Sequence, residues 1–73
     1  MMTNGNGNSE GRVIDFLRKN KSGLTITELV GLSKLSRATV RVALARLEGA
    51  DEIFFREVGM AKVYYLRGAA QNE

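Results

Sequence analysis

The chain has 73 residues, carries a formal net charge of +3 and contains no cysteine, histidine, tryptophan or proline. This length fits one small domain, and the missing residue types exclude thiol nucleophiles, imidazole bases, disulfides and the usual zinc ligands. We therefore expect no enzymatic activity and no bound cofactor or metal. No apolar run approaches the ~18 residues of a membrane span, and no signal peptide is visible, so a cytoplasmic protein without membrane contact is expected.

Both ends of the chain carry weak structural signals. Residues 1–9 contain the run Asn-Gly-Asn-Gly-Asn, and residues 68–73 are small, polar or acidic. Neither segment has an apolar period, so we expect a disordered N-terminal tail and a flexible C-terminal tail. The folded domain is predicted to span residues 10–67.

The first predicted element is a helix from about Glu10 to Lys19. Val13, Ile14 and Leu17 share one face at helical spacing, and the basic residues at its end suit a helix C-terminus. A polar loop over residues 20–23 follows and ends the helix.

A second, shorter helix is marked by its start. Thr25 and Glu28 have the spacing of a capping box, and Leu24 with Leu29 supplies a hydrophobic staple across it. The helix is expected to last about two turns and to fade over residues 31–33.

A third helix is predicted over residues 36–48, with serine at the favoured N-cap position and Gly49 placed to end it. Val40, Leu44 and Leu47 recur at i, i+4 and i+7, which gives a narrow apolar stripe for a small core. The remaining faces of this helix are free to carry other functions.

Two runs of β-branched and aromatic residues, 53–58 and 61–67, predict a β-hairpin. Gly59 and Met60 form a two-residue loop, with glycine at the first central position of a type II′ turn. The face expected to close over the helices carries three cross-strand pairs: Ile53 with Leu66, Phe55 with Tyr64, and Glu57 with Lys62. The other face carries Phe54 with Tyr65 and Arg56 with Val63. For the aromatics of that second face, a homodimer interface or packing of the first helix is favoured over stacking on single-stranded bases.

This order of elements resembles the winged helix-turn-helix domain, and three stretches carry the likeness: Thr-Ile-Thr-Glu-Leu-Val, Leu-Ser-Arg-Ala-Thr-Val and Ala-Leu-Ala-Arg-Leu-Glu. It is similar to the DNA-binding core of small bacterial and archaeal repressors of the arsenic-responsive and multiple-antibiotic-resistance types. The resemblance implies an α+β fold, three helices followed by a two-stranded β-hairpin wing, with helix 36–48 in the major groove and hairpin 53–67 on the flanking backbone. It also implies a very short third strand at Leu24 and Thr25.

The chain departs from that family at Lys34, in the turn between the second and third helices, where the family often has glycine. Glycine accepts a left-handed backbone at little cost, whereas lysine there is strained or forces a different turn.

The candidate DNA contacts centre on the third helix, because the segment from Leu29 to Leu47 carries lysine and arginine but no acid. Arg37 and Arg41 lie early in that helix, and side chains of this length reach base edges or phosphates. The full set of candidates is Lys34, Ser36, Arg37, Ala38, Thr39, Arg41, Val42, Arg46, Arg56 and Lys62.

Some of these residues also have a second interpretation. Ala38, Val42 and Ala45 form an apolar strip opposite the core stripe, which suits either close approach to a DNA groove or a protein interface. Lys62 either contacts phosphate or pairs with Glu57 across the hairpin.

The sequence therefore predicts a small sequence-specific transcriptional regulator that binds double-stranded DNA, acts as a homodimer and needs no small-molecule effector. The alternative is a winged-helix module for protein–protein interaction within a larger transcription or replication assembly.

Overall fold

The computed structural model describes residues 5–68 of the chain, with side chains from residue 9 onward. Three helices precede a two-stranded antiparallel sheet, which confirms the predicted α+β order. The elements are α1 (Gly5–Lys19), α2 (Ile26–Ser33), α3 (Arg37–Gly49), β1 (Ile53–Val58) and β2 (Ala61–Leu66). Of the predicted tails, residues 1–4 and 69–73 lie outside the described part of the chain.

Helix α1 begins at Gly5, earlier than the predicted start near Glu10. Glycine costs about 1 kcal/mol more than alanine in a helix, so the glycine-rich sequence gives little local sign of this extension. Further along the helix, Ser9 and Glu10 line a groove against α3.

The core lies where the three helices and the inner face of the hairpin meet. Its buried members come from every element, and α1 contributes Val13 and Leu17 from its predicted apolar face. The buried hydrophobic residues are Val13, Leu17, Leu24, Leu29, Val40, Ala43, Leu44, Leu47, Ile53 and Tyr64. Burial of this stripe on α3 leaves the opposite side of that helix in solvent.

Both predicted N-caps form. The Thr25 hydroxyl accepts from the Glu28 N–H at 3.1 Å, and the Thr25 N–H donates to Glu28 Oε1 at 2.9 Å, so the capping box is complete. Ser36 caps α3 by accepting from the Thr39 N–H at 3.1 Å. These caps set the first residues of α2 and α3 and hence the short turn between the helices.

That turn contains a left-handed residue. Lys34 has φ 65° and ψ 16°, and its N–H donates to Val30 O at 3.0 Å. The chain thus keeps the conformation that glycine would take there, with lysine bearing the steric cost.

The end of α3 differs from its prediction, because the helix continues through Gly49. The left-handed residue is Asp51, with φ 63°. The N–H of Asp51 donates to Glu48 O, and that of Glu52 donates to Leu47 O, which is the bond pattern of a Schellman motif. Aspartate tolerates this conformation better than most residues, so a glycine is not required.

The hairpin has the predicted register, with Phe55 opposite Tyr64 and Glu57 opposite Lys62. Gly59 has φ 63° and Met60 has no positive φ, as a type II′ loop requires. The predicted facing is also confirmed, since Ile53 and Tyr64 are buried against the helices.

The short third strand that the resemblance implies is present as a single bridge. Leu24 pairs with Tyr64 on the edge of β2 that faces away from β1, with N–H to O distances of 3.0 and 2.8 Å. This bridge holds the start of α2 against the hairpin.

Candidate nucleic-acid interface

Helix α3 presents an outward strip of small apolar side chains, formed by Ala38, Val42 and Ala45. All three are exposed, and Val42 is 54% exposed. They lie opposite Val40 and Leu44, which are buried in the core. The strip would let a partner approach the α3 backbone closely.

Basic residues lie on both sides of the outward strip. At 100° per residue, Arg37 and Arg41 fall on the side that faces α2 and the hairpin, whereas Arg46 falls on the side that faces α1. The grooves beside α3 agree, because Arg41 lines the one toward the hairpin and Arg46 the one toward α1.

We call the first of these the α3–hairpin groove. It is an open cleft of about 630 Å³ between the start of α2, one side of α3 and the hairpin loop. Arg41 and Lys62 bring positive charge to it from two elements, and Glu48 brings one carboxylate. The lining residues are Thr25, Ile26, Thr27, Arg41, Leu44, Ala45, Glu48, Met60, Ala61, Lys62 and Tyr64.

Arg37 is held at the entrance to this groove by a contact with α2. Its Nη2 donates to Thr27 Oγ1 at 3.3 Å, and both side chains are exposed. A guanidinium has five donors, so most of the hydrogen-bonding capacity of Arg37 remains available to another molecule. The contact orients the side chain without consuming it.

Tyr64 forms the floor of the groove. Burial raises the pKa of its hydroxyl above the ordinary value, the nearby Glu48 carboxylate raises it further, and Arg41 opposes them. The tyrosine is accordingly neutral at physiological pH, and the charge of the groove comes from its arginine, lysine and glutamate side chains.

Lys62 does not form the cross-strand ion pair that was one of its two interpretations. It lies opposite Glu57 in the register, but its Nζ is 4.7 Å from the centroid of the Phe55 ring. Within residues 9–68, the ion pairs are Arg18–Asp15, Arg46–Glu10 and Arg67–Asp51. Arg37, Arg41 and Lys62 therefore present their charge without a carboxylate partner in this described part.

Arg46 is in a different position, because its Nε lies 3.9 Å from Oε2 of Glu10. The two residues line an open groove of about 320 Å³ between α1 and α3, whose other walls include Ala38, Val42 and Ala43. This groove is the more apolar side of α3, and its arginine is partly neutralised.

Two further predicted contacts lie apart from the α3–hairpin groove. Arg56 is exposed on the outer face of the hairpin, because it alternates with the inward Phe55. Lys34 lines a separate groove with Arg12 and Lys19 of α1. The structure therefore brings Arg41 and Lys62 to one groove, with Arg37 hydrogen-bonded to the lining residue Thr27, and leaves Arg56 and Lys34 outside it. Ser36 is exposed at the start of α3, and Thr39 is half-buried beside it.

Sequence reasoning missed several residues of this surface. Thr25 and Thr27 line the groove from the start of α2, and Met60 does so from the hairpin loop, where it is fully exposed. The capping box could have indicated the threonines, because N-cap residues lie where a helix end meets its surroundings. Glu48 lines the groove from α3, and nothing local in the sequence places it beside Arg41.

No protein-family model matches the chain, and a search of curated proteins finds no match. Residues 5–68 contain no helix that is both long and apolar enough to cross a membrane, and no cluster of acidic side chains in this part could hold a metal ion.

Proposed function

We propose that this chain is a winged helix-turn-helix domain that binds double-stranded DNA as a small, sequence-specific transcriptional regulator. In this proposal α3 enters the major groove with its outward strip against the base edges, and the hairpin is the wing that lies along the flanking backbone. The protein acts in the cytoplasm as a homodimer on a pseudo-palindromic site, because one domain of this size has a small footprint.

The observation that carries the proposal is the convergence of Arg37, Arg41 and Lys62 on one side of α3. These residues belong to a helix and a hairpin that meet at one groove. Among the described residues, none of the three forms an ion pair with a carboxylate. Long basic side chains beside a narrow apolar ridge suit a duplex, since phosphates line both rims of the major groove. If the basic residues only formed a solvated helix face, nothing would require them to lie beside the loop of the hairpin.

The composition of the outward strip supports base contact as well as phosphate contact. Because Ala38 and Ala45 have small side chains, α3 can lie deep in the major groove. Val42 offers methyl groups for apolar contact with the methyl group of thymine. Arg41 extends from the same helix on the side of the α3–hairpin groove, and its guanidinium can bind a guanine base in a bidentate manner.

The proposal is tested by duplex binding with a charge-matched control. We would measure fluorescence anisotropy of a labelled random-sequence duplex, and of duplexes selected from a random library, at several salt concentrations. The Arg37→Ala/Arg41→Ala variant should bind more weakly and lose about two units of salt slope, since each phosphate contact contributes about 0.9. The Arg18→Ala/Lys19→Ala variant removes the same charge from the exposed end of α1 and should keep the slope of the wild type.

Two results would overturn the proposal. The first is a wild-type protein that shows no salt-dependent binding to any duplex. The second is an equal loss of affinity in the two double variants, which would mean that net charge rather than the α3 surface attracts DNA.

A protein-interaction module is the second candidate function, favoured by the apolar groove between α1 and α3. Ala38, Val42 and Ala43 line that groove, and Arg46, the cation among its described lining residues, is paired with Glu10. Val42→Glu places a charge in this groove. Val42→Thr is its control, because threonine keeps the shape of valine and adds only a hydroxyl. A complex with a transcription or replication protein that Val42→Glu dissolves, with DNA binding absent in the wild type, would favour this candidate.

A further inference from the structure

Strand β1 has an unprotected outer edge. The sheet contains only β1 and β2, and the Leu24 bridge extends it on the β2 side, so within residues 5–68 nothing pairs with the far side of β1. Proteins usually guard such an edge with lysine, proline or a bulge. β1 reads Ile-Phe-Phe-Arg-Glu-Val and pairs with β2 through an unbroken register, so it has neither lysine, proline nor a bulge, and its charged residues are Arg56 and Glu57.

The register determines which backbone groups this edge offers. In a hairpin with a two-residue loop the closing pair, Val58 with Ala61, is hydrogen-bonded, and the bonding alternates from there. Ile53, Phe55 and Glu57 therefore point their N–H and C=O groups away from β2. By the same alternation, the backbone N–H and C=O groups of Tyr64 point away from β1, and both are hydrogen-bonded to Leu24.

We infer that two copies of this chain pair antiparallel through the outer edge of β1, about a two-fold axis at Phe55. In that register Phe55 faces its own copy, and Ile53 faces Glu57 of the second copy in both directions. Every outward-pointing residue of β1 then exchanges backbone hydrogen bonds with the second copy, and the two sheets become one.

Side-chain contacts favour this register over the one in which the axis lies one residue closer to the hairpin loop, at Arg56. On the outer face it places Arg56 of one copy beside Phe54 of the other, where a guanidinium can lie against an aromatic ring. Phe54 already stacks on Tyr65 at 5.2 Å between ring centroids, and the Arg67 guanidinium of its own chain lies 5.2 Å from the same centroid, so a guanidinium from the second copy would join an existing aromatic–cation cluster. An axis at Arg56 instead sets two arginines directly opposite each other and leaves Ile53 without a partner.

This inference gives Arg56 a role that the α3–hairpin groove does not, because Arg56 lies on the outer face of the hairpin. It names the interface of the homodimer in the proposed function, but it does not depend on DNA binding. Its test therefore uses the full chain alone, with no duplex present.

The experiment is sedimentation equilibrium over a range of protein concentrations, with far-UV circular dichroism of each variant. The wild type should reach twice the 8.0 kDa chain mass. Glu57→Pro removes an outward N–H without touching the bonds between β1 and β2, so it should be a folded monomer. Glu57→Ala keeps the N–H and should remain a dimer.

Arg56→Glu provides a second arm that leaves every backbone donor in place. It replaces the cation opposite Phe54 with an anion and should weaken dimerisation about tenfold. A monomeric wild type, a dimeric Glu57→Pro, or an unchanged dissociation constant for Arg56→Glu would each overturn the inference. If Glu57→Pro loses its hairpin signal, Arg56→Glu alone decides. Since DNA binding is measured separately through Arg37 and Arg41, either idea can fail while the other stands.

Discussion

Arg46 Nε lies 3.9 Å from Oε2 of Glu10, so the last arginine of α3 meets a carboxylate from α1. The stretch from Leu29 to Leu47 is free of acids in sequence but not in space. The two side chains are 67% and 32% exposed, and such pairs contribute on the order of 0–1 kcal/mol to stability. The larger consequence concerns the charge that α3 presents to a partner.

The first prediction follows from this pair. Glu10→Gln should leave the free energy of unfolding within about 1 kcal/mol of the wild type, because the lost pair is exposed. It should increase duplex affinity and steepen the salt dependence by up to about one unit, because Arg46 becomes free to contact phosphate. Anisotropy titrations at several salt concentrations measure both quantities.

The matched control is Asp15→Asn, which makes the same change in net charge. Asp15 pairs with Arg18 at 3.1 Å on the exposed side of α1, away from the α3 surface. An equal gain in affinity from the two substitutions would indicate a general effect of net charge. No gain from Glu10→Gln would exclude Arg46 from the DNA interface.

A second prediction concerns the left-handed lysine. Lys34→Gly should stabilise the protein by about 0.5–1 kcal/mol, because glycine takes φ 65° without a Cβ clash, although it adds entropy to the unfolded chain. Lys34→Ala removes the same charge and keeps the Cβ, so it should show no such gain. Urea denaturation midpoints measure the difference, and equal midpoints for the two variants would refute the strain.

A third prediction concerns Gly23, where the chain passes over the outer face of β2. Its φ is 95°, and an added Cβ would clash with Val63 and lie 2.7 Å from Cε2 of Tyr65. Gly23→Ala should therefore cost about 2–4 kcal/mol, from left-handed strain plus overpacking.

Gly11→Ala is the matched control for that substitution. Gly11 lies within α1 with open space around its Cα, so alanine should stabilise the helix by about 0.5–1 kcal/mol. Thermal unfolding should move in opposite directions for the two variants. A tolerated Gly23→Ala would show that the loop can move away from β2.

The features that could be predicted from the sequence are those set by short-range rules. The hairpin register follows from side-chain alternation and a two-residue loop, which together fix that Phe55 faces Tyr64. The caps at Thr25 and Ser36 follow from hydroxyl side chains at the right spacing before an apolar stripe.

The features that escaped prediction depend on packing between distant segments. The Glu10–Arg46 pair needs α3 beside α1, which no local pattern encodes. The same is true of the candidate site. Arg37 and Arg41 could be identified on one helix from the sequence. Their proximity to Lys62, and the separation of Arg56 from them, depend on how the hairpin packs against the helices.

The fourth prediction uses the tyrosine beneath the α3–hairpin groove. Tyr64 is 6% exposed, and burial with the help of Glu48 raises the pKa of its hydroxyl in the folded state. In the unfolded chain the hydroxyl titrates near pH 10, so above about pH 10 the unfolded state releases its proton first. Its contribution to stability is therefore complete below about pH 10 and is lost as pH rises through the folded-state pKa.

Tyr64→Phe should remove this alkaline component. Its free energy of unfolding, from urea titrations between about pH 8 and about pH 11, should fall less steeply than that of the wild type. Tyr65→Phe, which removes the hydroxyl of the neighbouring tyrosine on the outer face, is the matched control. Parallel curves for wild type and Tyr64→Phe would mean that the hydroxyl reaches solvent in the folded state, and that the floor of the groove is open to water. Because Arg41 opposes the shift, Arg41→Ala should make the alkaline loss of stability steeper and link this titration to the proposed DNA-contacting side of α3.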